Sequence, residues 1–413
     1  MWGSFGKNIA KSASKITASA PAPSLVVASL ASVRLDSGIG RAQVKKLEIG
    51  KHEKIEEILS KVRHRDGLPK ITSHVEHLVG RVTESTGSER DMPGLDLGDK
   101  TQIILQSNHP VRYTLEREIY NSSKQSLGYY DWLILFGRGI RTSTNPKYEE
   151  NLNFISRGSD SGMFSSEIHQ TVVDIPEDYN HSNILTQYSL GNKYAALVGD
   201  YFAIRCIYFL EKAKNSKAFI AITKGLEQFT TANFAVKFLD PKIIYPHLPH
   251  KNVTLDDWIR YNRKISGYFT GGLYAALVLN CDGLPKDDKI MKAMSRFSSN
   301  LAVLLKGVAD IEMLENAREF SSVPTSVLTT LPAVLHQRKH PGVFDALRNK
   351  QINFNTDFRQ IVEEIERGSA IDEAKFILGE LGLETKQSYE GVATDLFYAD
   401  VVLDLVETIA NFE

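Results

Sequence analysis

The feature that most limits the fold of this chain is a spaced run of apolar side chains late in the sequence. Met294, Phe297, Leu301, Leu304, Leu305, Val308 and Ile311 recur at intervals of three and four. A helix turns once per ~3.6 residues, so these positions stack on one face of a single long helix. Residues 193 to 211 are apolar around nearly the whole circumference, which places that helix at the centre of a bundle, where a charge at Leu197 would break the core. Thr254-x-x-Asp257 before Trp258 and Ser369-x-x-Asp372 before an apolar run have the form of capping boxes. Gly368 and Gly382 are placed to stop helices, Lys51 to Val62 reads as one short helix, and Tyr389 to Phe412 reads as the last. Period-two alternation is scarce and no internal repeat is visible. The expected fold class is all-α, a large antiparallel helix bundle.

Composition narrows the function. Lys and Arg number 49 against 50 Asp and Glu, a net charge of −1, which lacks the broad electrostatic footprint of a nucleic-acid binder. Two cysteines, Cys206 and Cys281, cannot build a disulfide framework or a four-cysteine zinc site. The most apolar stretch, Tyr194 to Leu210, carries Asp200 and Arg205, so no transmembrane span is expected. Residues 1 to 35 hold Lys7, Lys11, Lys15 and Arg34, seven serines and no acid, the composition of a mitochondrial transit peptide. The expected organisation is that leader, a charged extension with a Gly- and Pro-marked linker over 36 to 104, and a helical domain over 105 to 413. The expected address is the mitochondrial matrix.

Isolated chemical signals are weak. His336 and His340 stand four apart and His247 and His250 three apart, spacings that a metal could use, yet neither pair has a third ligand nearby. His340, before Pro341, and His250, in a Pro-containing loop, read as surface histidines. Gly137-Arg138-Gly139 lacks the third glycine and the strand of a dinucleotide site. Asp200 and Arg205 read as a hydrogen-bonded core pair. Glu312, Glu315 and Glu319 read as a solvated stripe, with Arg318 beside Glu315.

Four segments in order carry a family resemblance. Gly191-Asn192-Lys193-Tyr194-Ala195-Ala196-Leu197-Val198-Gly199-Asp200-Tyr201 resembles the G-x-K-x-A-x-L-x-G-D-Y helix of trans-prenyl diphosphate synthases. Lys264 to Phe269 resembles their K-T-A-x-L-F helix, Phe297 to Asp310 their F-G-x-x-L-G-x-A-F-Q-x-x-D-D helix, and Thr330-Leu331-Pro332 their T-L-P segment. The resemblance implies an isoprenoid-synthase bundle. It also implies chemistry in which two Asp-rich motifs hold Mg²⁺ against the leaving diphosphate of an allylic substrate.

Both motifs are degenerate here. At the second, the family alignment leaves Ala309-Asp310-Ile311-Glu312-Met313, one carboxylate of three, with Lys306 at the neighbouring glutamine position. At the first, Ile168-His169 survives, but either Pro176 and Glu177 or Gln170 and Thr171 stand where paired aspartates belong. The basic substrate loop is missing as well, although Arg138 and Arg141 lie in that region. His169, Lys264, Lys306 and Asp310 are thus the family-equivalent positions that remain, and neither a catalytic residue nor a metal ligand is expected. This pattern, with Ser107-Asn108-His109-Pro110 and Leu331 to Gln337, resembles the non-catalytic subunit of hetero-oligomeric decaprenyl or solanesyl diphosphate synthases. That implies a catalytic partner subunit holding the Mg²⁺, a heterotetramer, and a role in making the ubiquinone side chain. Two other readings remain at this point: an active prenyltransferase with a shifted site at Glu177, Asp178 and Asp310, and an unrelated all-α adaptor.

Overall fold

The computed structural model describes residues 53–62, 109–112, 114, 127–173, 182–235, 238–239, 248–281, 287–315, 317, 323, 325–349 and 358–412. The leader, the 85–100 linker and the degenerate segment 174–181 lie outside them. Helices account for most of the described residues. They are α1 (53–62), α2 (Tyr129–Gly139), α3 (Tyr148–His169), α4 (Ser182–Lys212), α5 (Ser216–Ala235), α6 (Leu255–Ile265) and α7 (Gly267–Cys281). After these come α8 (Asp288–Glu315), α9 (Leu331–Lys339), α10 (Pro341–Asn349), α11 (Arg359–Arg367), α12 (Ala370–Glu390) and α13 (Leu396–Ala410). Among the described residues there is no β-strand, only one bridge between Leu239 and Pro249. No described helix is long and apolar enough to cross a membrane.

The spaced apolar face from Met294 to Ile311 does become the long helix α8, with Met294, Phe297, Leu301, Leu304, Val308 and Ile311 all buried. Its middle is locked by an aromatic triangle. The Phe297 ring lies 5.3 Å from Phe136 of α2 and 4.8 Å from Tyr389 of α12, centroid to centroid. Thr254 opens α6 as a true capping box: its hydroxyl accepts from the Asp257 amide, and the Asp257 carboxylate accepts from the Thr254 amide at 3.0 Å. The short helix over Lys51 to Val62 appears as α1, whose Ile58, Leu59 and Val62 are buried in the main core.

The centre of the bundle is α3, not the segment 193–211. From Ser156 to Ser166 every α3 residue except Arg157 is buried, although most are Ser and Gly. Small side chains let neighbouring backbones approach on all sides, and their hydroxyls bond to carbonyls. The Ser159 hydroxyl donates to the Tyr268 carbonyl of α7 at 2.7 Å, and that of Ser165 to the Gly199 carbonyl of α4 at 2.8 Å. Helix α4 instead lies at the surface. One side packs antiparallel on α3, while Leu197, Ile204 and Ile207 are 54%, 59% and 57% exposed. An apolar circumference therefore does not mean a buried one: nothing among the described residues covers that face.

Three further expectations change. Gly382 does not stop a helix; it sits inside α12, where a Cβ would fall 2.4 Å from the Ala410 methyl of α13. The break comes instead after Glu390, so Tyr389 belongs to α12 and the last helix begins at Leu396, capped by the Asp395 carboxylate. Ser369 makes no capping bond, because its backbone (φ −91°, ψ 7°) is not extended, and its hydroxyl accepts from Lys339 instead. Gly368 does end α11.

The tight turn from α4 to α5 carries one strained residue. Lys214 holds φ +48°, while the Asn215 side chain accepts from the Ala218 amide at 3.0 Å to start α5. A left-handed lysine costs about 1 kcal/mol relative to glycine. Lys214→Gly should raise stability by roughly that amount, read as a higher urea midpoint at unchanged m-value; a lower midpoint would show that the lysine side chain stabilises the turn.

Candidate functional site

The surviving carboxylate of the second motif stands in the penultimate turn of α8 with no solvent exposure. One Asp310 oxygen takes the Lys306 ammonium at 2.5 Å, one turn earlier, and the other accepts the Leu331 amide at 2.9 Å. Leu331 is the first residue of α9, and Thr330 caps the same end through the Ala333 amide. Asp310 is thus a second cap on α9, placed where a helix start favours an anion. Burial pushes its carboxyl up from the ordinary range, and the Lys306 ammonium and the Leu331 amide oppose that rise. The Trp258 indole of α6 acts in the same opposing sense, at a geometry short of a full hydrogen bond.

The G-x-K-x-A-x-L-x-G-D-Y segment forms the middle of α4, and both its glycines seat histidine rings. A Cβ on Gly191 would lie 2.3 Å from the His109 ring, and one on Gly199 2.4 Å from His169 Nε2. His109 Nδ1 accepts from the Val111 amide at 3.1 Å, which leaves Nε2–H to donate to the Asn192 carbonyl oxygen at 2.9 Å. Asn192 also exchanges two hydrogen bonds with the Val173 backbone, at 2.9 and 2.7 Å. It therefore fastens the chain beyond α3 to α4. His169, last residue of α3, reaches Asp200 at 3.2 Å. Burial drives the His109 imidazole down to about 4, with the Asn192 bond opposing.

The remaining positions fall apart from one another. Lys264 is half-buried in the last turn of α6. Asp200 is exposed and pairs with His169, whereas Arg205 lies over the Tyr208 and Phe209 rings, 5.6 and 4.8 Å from their centroids. They form no core pair because five residues turn a helix by ~140°. Arg138 and Arg141 both clamp Glu149, at 3.1 and 2.9 Å, tying α2 to α3. His336 is buried, not a surface residue, while His340 is exposed as expected; their rings sit 4.9 Å apart. His250 is half-buried. Glu312 is exposed, but Glu315 leaves the expected solvated stripe and meets Lys375 of α12 at 2.8 Å. His247, Arg318, Glu319, Pro176, Glu177 and Asp178 lie outside the described residues.

Sequence reading singled out Asp310 and His169 but missed Asn192 and Trp258, whose partners lie 19 or more residues away. Hard divalent cations need several oxygens with free lone pairs. Asp310 offers none in the open, and among the described residues no three His, Cys, Asp or Glu converge on a common point. Among the described residues, Asp310 and its neighbours do not fit a Mg²⁺ site.

Comparison with known proteins returns the fold. No family model matches the chain, and no curated relative matches it. Solved structures do. A polyprenyl synthase from Caulobacter crescentus, complexed with calcium and isoprenyl diphosphate, is 12% identical over 83% of this chain and 99% of its own, with a TM-score of 0.53. A medium/long-chain-length prenyl pyrophosphate synthase from Arabidopsis is 13% identical over 74% and 98%, with a TM-score of 0.51. A geranylgeranyl pyrophosphate synthase from Lactobacillus brevis is 12% identical over 82% and 98%, also at 0.51. The chain has the all-α isoprenoid-synthase fold.

Two outcomes follow. Asp310→Ala leaves the Lys306 charge and the Leu331 amide without their partner, a loss of about 3 kcal/mol, at the low end for a buried pair since Lys306 is partly solvated. Chemical denaturation should show that loss, and millimolar Mg²⁺ should not shift the wild-type midpoint; a Mg²⁺-dependent rise abolished by Asp310→Ala would make Asp310 a ligand. The depressed His109 contributes stability that is full above its unfolded value near 6.5 and falls away as pH drops toward about 4. Stability should decline by up to about 1.4 kcal/mol per pH unit in that window, and His109→Gln should flatten the decline.

Proposed function

We propose that this chain is the non-catalytic, structural subunit of a hetero-oligomeric all-trans-polyprenyl diphosphate synthase. It works with a catalytic subunit as a heterotetramer in the mitochondrial matrix, making the ubiquinone side chain. The carrying observation is Asp310: on an isoprenoid-synthase fold, the carboxylate at the second metal motif has both oxygens committed to holding α9 in place. The ionisation of an allylic diphosphate, which needs divalent metal on the leaving group, is assigned to the partner's intact motifs. The acid-free leader supports the address, and its removal at about residue 35 leaves 45 basic and 50 acidic residues.

The uncovered face of α4 supports a subunit role. Leu197, Ile204 and Ile207 form a stripe with Lys193 at one end and Glu211 at the other, all exposed. Leu197 and Ile207 are symmetric about position 202, as are Lys193 and Glu211. A like-patterned helix running antiparallel would put Leu197 against Ile207 and Lys193 against Glu211, with Ile204 facing the exposed Asp200. The proposed occupant of this face is the partner's equivalent helix.

The purified chain should not elongate an allylic primer with Mg²⁺, and co-expression with the catalytic subunit should restore synthesis. Leu197→Asp should keep native circular dichroism, because the side chain already faces water, while losing the partner on size-exclusion chromatography and activity with it. Elongation by this chain alone, or a Leu197→Asp variant that stays partner-bound and active, would falsify the proposal.

A further inference from the structure

A second face that no described residue covers lies on α12, beside the C-terminal end of α13. Phe376 and Leu383 of α12 are 70% and 55% exposed. Phe376, Gly379 and Leu383 stand at i, i+3 and i+7, on one side of α12. A Cβ added at Gly379 would meet only the Ala410 carbonyl oxygen, at 4.0 Å. The stripe is therefore a socket: two apolar walls, a missing side chain between them, and the end of α13 beneath. A protruding side chain from another helix fits such a gap.

Its charge is mainly acidic, although Lys339 of α9 pairs with Glu373 and Lys54 of α1 lies near Glu407. Helices α12 and α13 contain eight carboxylates and two lysines. Both lysines are engaged, Lys375 by Glu315 at 2.8 Å and Lys386 by Glu407 at 2.5 Å. Along the same two helices, Asp372, Glu380, Glu390, Asp400 and Asp404 are exposed and form no ion pair among the described residues. A second copy of this chain would set these acids against themselves, which disfavours a two-fold contact here. A membrane surface, anionic on its cytoplasmic side, would be repelled as well. The complement is a helix with an apolar stripe and a cationic rim.

We infer that the α12–α13 face is a docking site for a cationic amphipathic helix of a partner protein, one apolar side chain of which enters the gap at Gly379 between Phe376 and Leu383. The acids set orientation and encounter rate, and the socket sets which helix is accepted. This surface is distinct from the α4 stripe and does not depend on the identity of the partner there.

The test uses the full chain and a fluorescein-labelled synthetic helix of about 18 residues, with leucines at i, i+3, i+4 and i+7 spacing and lysines opposite. A shuffled peptide of equal composition serves as control. Anisotropy should report binding by the striped peptide, weakening with added salt, and at least tenfold weaker for the shuffled one. Gly379→Leu fills the gap without changing charge and should weaken binding about tenfold. Phe376→Asp with Leu383→Asp should abolish it, and Asp404→Lys should weaken it several-fold, all at unchanged thermal midpoint. Equal affinity for striped and shuffled peptides, or unchanged affinity in Gly379→Leu, would reduce the face to a general acidic attraction and overturn the assignment. So would self-association of the chain that Phe376→Asp removes.

Discussion

One carboxylate, sealed from water, holds three helices together. Asp310 receives an ammonium from its own helix and an amide from the start of α9, with the α6 indole close by. Removing water makes each of these interactions stronger and makes a missing partner expensive. On a fold shared with solved prenyl synthases, that geometry makes Asp310 a joint between α8 and α9. Lys306 supplies within the chain the positive charge that a metal-binding carboxylate would draw from solution.

The α4 segment carries the same lesson. Its two glycines make room for the rings of His109 and His169, and its asparagine ties Val173 to the helix. These residues act by shape and backbone hydrogen bonding rather than by exposed reactive groups. The segment that most resembles an enzyme family is, in this molecule, the place where neighbouring elements are seated against one another.

Much of the fold was legible. The α8 face, the Thr254 box and the Thr330 start are local signals, set within one or two turns by spacing and by a side chain's reach to its own backbone. What escaped depends on partners distant in sequence. The central helix α3 was not visible because Ser and Gly carry no hydropathy signal, and their burial comes from how closely neighbours can approach. The α4 circumference misled in the opposite direction, since Leu, Ile and Val look the same whether a helix faces its own core or a second protein. Gly382 looked like a stop because glycine ends helices, yet here it admits Ala410. At the site, Asp310 and Lys306 could be singled out from residue types, while the bond to the Leu331 amide, 21 residues on, could not.

Helix α1 gives the chain an unusual closing step. Its Ile58, Leu59 and Val62 enter the same core as α13, and Lys386 together with Lys54 holds the Glu407 carboxyl below its usual range. Lys54 acts on Glu407 through its charge across about 350 residues of chain, and an interaction that closes so long a loop forms late. A chain made from its N-terminus must therefore keep the apolar side of α1 waiting until α13 is free. Loss of α13 would open the core that α1 also enters, so two elements far apart in sequence stand or fall together.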